Sequence, residues 1–150
     1  MFEIQGDFVS AKPFDRGLIN DTYIAAYETS QGKIQKYICQ KINKSVFTKP
    51  KEVMENISLV TDFVHLKAKS GESHLLLQKT KNGEPYHLDG NGDFWRMYNF
   101  IKDSTTFNTA QSPQQAYEAA YAFGNFQSMI SELDPSKLHK TIPHFHNTPI

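Results

Sequence analysis

Residues 17–43 constrain the fold more tightly than any other stretch of the chain. A loop, Gly17-Leu18-Ile19-Asn20-Asp21, opens onto an alternating segment, Tyr23-Ile24-Ala25-Ala26-Tyr27-Glu28-Thr29. Strand side chains point to opposite faces in turn, so this pattern predicts a strand with one face toward a core. Ser30-Gln31-Gly32-Lys33 supplies a turn, with a glycine where a tight reversal favours one. Lys36-Tyr37-Ile38-Cys39-Gln40-Lys41-Ile42-Asn43 then returns as a second strand. The pair is a β-hairpin over residues 22–29 and 34–42, carrying Lys41 near its end.

The flanking segments fill out an α+β chain. Residues 7–16 are extended or irregular, because Pro13 excludes a helix interior. Residues 45–69 read as a long helix. Pro50 sits where a first-turn proline is tolerated, and Glu52 favours the positive end of the helix dipole. Val53, Ile57, Val60, Phe63 and Val64 recur at three- and four-residue spacing as an apolar stripe, and Ser70-Gly71-Glu72-Ser73 ends the helix. Residues 74–80 form a short apolar strand. Asn82-Gly83 is the strongest hairpin-turn signal, with a brief return strand near Tyr86-His87-Leu88. After a reversal at residues 89–93, residues 94–101 read as a mostly buried strand. A polar linker, 103–111, leads to a second helix, where Ser112 caps, Pro113 takes the first position and Gln115 completes a capping box. Ala116, Ala119, Ala120, Phe123, Phe126, Ile130 and Leu133 form its apolar face, and Asp134-Pro135 stops it.

Composition narrows the function classes. At 150 residues, with 11 Phe and 7 Tyr, the chain can pack one domain with a real core. Its 16 basic and 16 acidic residues cancel, so no net field draws nucleic acid or an anionic membrane. No leader-like start and no bilayer-length apolar run occur, so a cytoplasmic chain is expected. Cys39, the one cysteine, cannot form an intramolecular disulfide and reads as a buried strand residue.

Two apparent metal motifs fail. Asp89, Asn91 and Asp93 imitate the start of a calcium loop, but Phe94 replaces the required glycine and Phe100 the bidentate glutamate. His144 and His146 would share a face on a strand, yet no third ligand follows at suitable spacing, so they read as loop or interface residues. More is offered by Gly17 with Asn20 and Thr22. Such a loop is either an ordinary turn or a phosphate cover whose backbone N–H groups approach closely because the side chains are small. Lys41 is either a strand lysine reaching for solvent or a phosphate ligand. Glu52 and Glu55 are either solvated helix residues or the carboxylates that position Lys41.

Taken in order, these stretches resemble a known family. Gly17-Leu-Ile-Asn-Asp-Thr-Tyr, Tyr37-Ile-Cys-Gln-Lys-Ile-Asn, Val46-Phe47, Val53-Met54-Glu55-Asn56-Ile57 and Asp93-Phe-Trp-Arg-Met-Tyr resemble the N-terminal part of the aminoglycoside phosphotransferase/choline kinase superfamily. Within it they are similar to the N-acetylhexosamine 1-kinase branch, as are Ala122-Phe123-Gly124-Asn125-Phe126 and Thr141-Ile-Pro-His-Phe-His-Asn-Thr-Pro. The resemblance implies a protein-kinase-like N-lobe, a five-stranded antiparallel sheet plus one long helix, over residues 1–97. A hinge and linker would follow at 98–111, and the first helix of a truncated helical C-lobe would lie in 112–150. It implies that ATP is bound by Gly17, Asn20, Thr22 and Lys41, with Gln40 as a register alternative, and that Glu52 or Glu55 pairs with Lys41. Tyr98, Phe100 and Ile101 would present hinge backbone groups to adenine.

The resemblance also implies what is missing. The family's catalytic loop, a His-Gly-Asp-type motif, and its later metal-binding aspartate have no counterpart, since neither His-Gly-Asp nor Asp-Phe-Gly occurs here. Phosphoryl transfer needs both groups. The expectation is an N-terminal fragment of an ATP-dependent sugar kinase, inactive alone, with its Mg2+ ligands in the absent part. The cut C-lobe, ending on Pro149-Ile150, would favour self-association. The alternative is a non-catalytic nucleotide-binding or protein-interaction module.

Overall fold

The computed structural model describes residues 1–14, 17–69, 71–143 and 145. Its α+β architecture is built on one antiparallel sheet of five strands: β1 (Asp7–Pro13), β2 (Asp21–Glu28), β3 (Ile34–Lys41), β4 (His87–Leu88) and β5 (Phe94–Asn99). Their spatial order is β1-β2-β3-β5-β4. Helix α1 (Pro50–Lys67) follows β3, helix α2 (Pro113–Ile130) follows β5, and a 3-10 turn spans Pro135–Lys137. Among the described residues no helix is long and apolar enough to cross a membrane.

The hairpin alternation sets two faces. β2 and β3 pair from Asp21↔Lys41 to Glu28↔Ile34, and β3 pairs with β5 from Tyr37↔Asn99 to Lys41↔Trp95. Paired residues share a face. One face therefore carries Tyr37, Cys39 and Lys41 with Met97 and Trp95. Phe2, Tyr37 and Met97 are its buried cluster, with Ile4, Tyr27, Cys39 and Trp95 packed around them. The other face carries Ile38 and Gln40 with Ile24, Thr22, Tyr98 and Arg96. β1 lies at the sheet edge, where its register with β2 shifts between Phe8 and Ser10, and Pro13 ends it.

Three expectations are corrected. Residues 74–80 are not a regular strand; they are joined to the fold by bridges at Leu77↔Tyr98 and Phe2↔Thr80. The cause is Asn99, whose side chain intrudes on the ladder. Leu76 N donates to Asn99 Oδ1 at 2.7 Å, and Asn99 Nδ2 donates to the His74 carbonyl at 3.0 Å. β4 occupies the rest of that β5 edge through His87↔Trp95 and Leu88↔Phe94. The Asn82-Gly83 turn does form, with Gly83 at φ 81° and its N–H donating to the Thr80 carbonyl at 2.8 Å.

Helix α1 starts at Pro50 rather than at residue 45 and ends at Lys67. Asn43 holds the preceding turn: Ser45 N donates to Asn43 Oδ1 at 2.9 Å and Phe47 N to the Asn43 carbonyl at 2.9 Å. The expected terminator Ser70 lies outside the described residues, as do His144, His146, Pro149 and Ile150.

The third correction concerns α2. Ser112 caps it as expected, accepting from Gln115 N at 3.2 Å, but the Gln115 side chain reaches Gln111 N, at 2.6 Å, instead of the cap residue. Its anticipated buried face is largely exposed: no α2 residue is buried, and Phe123 keeps 63% of its surface. Only Ile130 and Leu133 of that face are half-buried. The segment beyond α2 attaches to α1. Asn56 Nδ2 donates to the His139 carbonyl at 2.9 Å, His139 N donates to Asn56 Oδ1 at 2.8 Å, and Lys67 Nζ meets Glu132 at 2.6 Å.

Candidate functional site

Three strands contribute one polar chain of hydrogen bonds. Arg96 Nε on β5 donates to Gln40 Oε1 at 3.0 Å, and Gln40 Nε2 on β3 donates to Thr22 Oγ1 at 3.0 Å. Thr22 Oγ1 on β2 donates in turn to the Asn20 carbonyl at 3.3 Å. The register dictates this contact, because Thr22, Gln40 and Arg96 are direct cross-strand neighbours. Thr22 is 9% exposed, so its hydroxyl has little access to water and must be satisfied internally.

The loop before β2 is tied to the same point. Asn43 N donates to Asn20 Oδ1 at 2.9 Å and Asn43 Nδ2 to the Ile19 carbonyl at 3.1 Å, fastening the loop to the end of β3. Gly17 closes over it. A Cβ there would sit 3.1 Å from Thr22 Oγ1 and 3.2 Å from the Asn20 carbonyl, a tight fit that these neighbours would have to relax to admit. Gly17, Asn20 and Thr22 are thus brought together as the sequence suggested, with Pro13, Phe14, Asp21 and Tyr23 completing a small depression.

Lys41 projects elsewhere. Period-two alternation sends it to the face opposite Gln40, where Nζ meets Asp21 at 3.1 Å and Asp93 at 3.9 Å. The Asp21 contact, first by hydrogen bond and then by charge, raises the Lys41 pKa. It lines a cleft with Ile19, Asp21, Asn43, Lys44, Ser45 and Asp93, in which Lys44 Nζ also meets Asp93 at 2.7 Å. The expected pairing with the helix does not form. Glu52 takes Lys49 at 2.8 Å, one helical turn away, and Glu55 takes His139 Nε2 at 2.7 Å.

Of the three residues expected to face adenine, Tyr98 lies inside β5, 6% exposed, paired with Ile38 and bridged to Leu77. Phe100 and Ile101 follow the strand end. Phe100 borders a cleft of about 490 Å³ with Lys33, Ile34, Gln35, Lys36, Asn99, Lys102 and Asp103, and Lys36 Nζ stands 5.7 Å from its ring centroid. That volume suits a drug-sized organic molecule.

Two other sequence candidates are structural. Asp89 accepts from Asn91 N and Asp93 N, both at 2.9 Å, and from the Trp95 indole at 2.8 Å, so its carboxylate organises a turn. Cys39 is pushed up to a pKa of about 11 by burial, the opposite of an activated thiol. Among the described residues no three His, Cys, Asp or Glu side chains converge as a metal site.

Arg96 is the residue that sequence inspection missed. It sits in a run of apolar strand residues, Phe94 to Tyr98, where a half-buried cation invites the question of what it faces. No protein-family model matches the chain.

Proposed function

We propose that this chain is the nucleotide-binding part of an ATP-dependent phosphotransferase, a cytoplasmic sugar kinase of the aminoglycoside phosphotransferase/choline kinase type acting on an N-acetylhexosamine. The observation that carries the proposal is one sheet face shared by the Gly17 loop, a cationic side chain and a cleft of about 490 Å³ at the end of β5. The order of elements supports it as well. A loop lies between the first two strands, a helix follows the third, and the fifth runs directly into the segment of Phe100 and Ile101. Small residues at the loop admit phosphate oxygens to the backbone, and the cleft beside Phe100 offers a base an aromatic edge and polar groups. Moving a phosphoryl group needs a carboxylate base and a metal, and neither His-Gly-Asp nor Asp-Phe-Gly is encoded in these 150 residues.

The test is calorimetric, with the emission of Trp95, the single tryptophan, recorded beside it. Trp95 lies on the other face of the sheet and serves as a control for global change, while titration with ATP and with adenosine should release heat in a calorimeter; absence of binding at millimolar ATP would reject the proposal. Incubated with ATP, Mg2+ and N-acetylhexosamines, the chain should release no sugar phosphate; turnover would show that the missing groups are not required.

A second reading is favoured by α2 alone. Tyr117, Tyr121 and Phe123 are each more than half exposed, which suits a protein-interaction module that self-associates through that helix. Sedimentation across a concentration series separates the two: a monomer at all concentrations removes this reading.

A further inference from the structure

We infer that Arg96, rather than Lys41, is the cation that holds the phosphates, and that Gln40 is the residue that positions it; this rests on the nucleotide-binding proposal above.

The case begins with which charges are already committed. Lys41 spends its charge on Asp21 and Asp93, and Lys44 on Asp93. Arg96 has no carboxylate within ion-pair distance among the described residues. Among the described residues its one hydrogen bond is Nε to Gln40 Oε1, and its guanidinium carbon lies 5.4 Å from the Tyr98 ring centroid. Arginine has five N–H donors, so the terminal nitrogens keep four of them for a ligand. A guanidinium fixed at Nε and stacked on an aromatic ring is pre-oriented, and the remaining fork matches two oxygens of a phosphate group.

Position agrees with this. Arg96 and Tyr98 lie on one side of β5, and Phe100, just past its end, meets Lys36, which shares a face of β3 with Gln40; this puts the cleft at Phe100 on the Arg96 face. Four residues at the rise of a strand separate them by roughly 13 Å. An extended nucleoside triphosphate can bridge such a gap, with its base against Phe100 and its terminal phosphates at Arg96. Gln40, Thr22 and Asn20 connect the guanidinium by hydrogen bonds to the loop that would cover the phosphates. Lys41, on the opposite face, cannot reach that path without crossing the sheet.

The experiment measures dissociation constants of ATP, inorganic tripolyphosphate and adenosine for the wild-type chain, Arg96→Gln, Arg96→Lys and Lys41→Ala. Arg96→Gln should weaken ATP and tripolyphosphate by about tenfold or more, the effect of losing charge-assisted bonds, with adenosine within about twofold of wild type. Arg96→Lys, which keeps the charge but not the fork, should show a smaller loss in the same pattern, and it carries the test if the glutamine variant fails to fold. Lys41→Ala should stay within about twofold for all three ligands. Unchanged ATP affinity in the Arg96 variants, with a loss in Lys41→Ala, overturns the inference and leaves nucleotide binding standing. An equal loss for adenosine reduces Arg96 to a structural role and also overturns it. A wild-type chain that binds neither ATP nor tripolyphosphate removes this inference and the nucleotide proposal together.

Discussion

Gln40 and Lys41, adjacent in the chain, work on opposite sides of the sheet: Gln40 links Thr22 to Arg96 through two bonds of 3.0 Å, while Lys41 meets Asp21 at 3.1 Å. One peptide unit thus separates a side chain that organises a polar face from one that closes a surface charge network. The strand's two-residue period makes the division unavoidable. It also explains why shifting a functional assignment by a single position changes which residues are its neighbours.

Thr22 is the midpoint of the polar chain, so Thr22→Val tests it at constant shape. The substitution leaves the half-buried Gln40 Nε2 without its acceptor. The expected cost is about 1 to 3 kcal/mol, read from the urea unfolding midpoint, with Thr22→Ser restoring most of it. A valine variant as stable as wild type would mean that the hydrogen bond contributes nothing.

Asp89 predicts an acid-side signature. The Asp93 backbone amide first, then the Trp95 indole, hold its carboxyl below the usual carboxylate value. A lowered folded-state pKa stabilises at pH above the unfolded value of 3.8, and that stabilisation disappears as pH falls through the folded value. Trp95 emission in the wild type should therefore hold at pH where an ordinary carboxylate already protonates and change at lower pH, whereas Asp89→Ala should shift it at neutral pH. Identical emission in the two proteins at neutral pH would contradict the turn's assignment.

Cys39 predicts the opposite limb. Burial raises its pKa from 9.0 to about 11, so the thiol should react slowly with Ellman's reagent until the protein is unfolded. A raised folded-state pKa stabilises below the unfolded value, and the contribution is lost as pH climbs through the folded one. Stability should decline between pH 9.0 and about 11, with Cys39 supplying up to about 2 kcal/mol of the fall. Burial raises Tyr27, Tyr37 and Tyr98 in the same direction. Cys39→Ala should therefore flatten the decline without abolishing it.

Asn56 fastens the segment after α2 to α1 through both its amide groups, at 2.9 and 2.8 Å. Asn56→Ala should cost roughly 1 kcal/mol at these exposed bonds. It should also speed amide exchange in residues 131–143 while leaving β2 and β3 protected. Unchanged exchange there would show that other contacts hold the segment.

The hairpin, the Asn82-Gly83 turn and the Ser112 cap could all be read from the sequence, because each depends on residues within a few positions of one another. Other features were hidden because they depend on distant partners. Asn99 disrupts the expected strand at 74–80 by bonding His74 and Leu76, and nothing local to either residue announces it. At the site, alternation separates Gln40 from Lys41 but cannot rank the two faces, since Tyr37 and Ile38 make both partly apolar. Only the register with β5 shows that Gln40 faces an arginine. For α2, amphipathic spacing signals a face that favours cover without specifying what covers it.

The shift of register between Phe8 and Ser10, with Pro13 closing the same strand, bears on how copies of this protein behave when crowded. A straight outermost strand would act as a template on which another chain could add a sixth, and a stack of such additions grows into fibrils. The kinked row of donors in β1, and the amide that proline lacks, deny an incoming strand continuous pairing on that border.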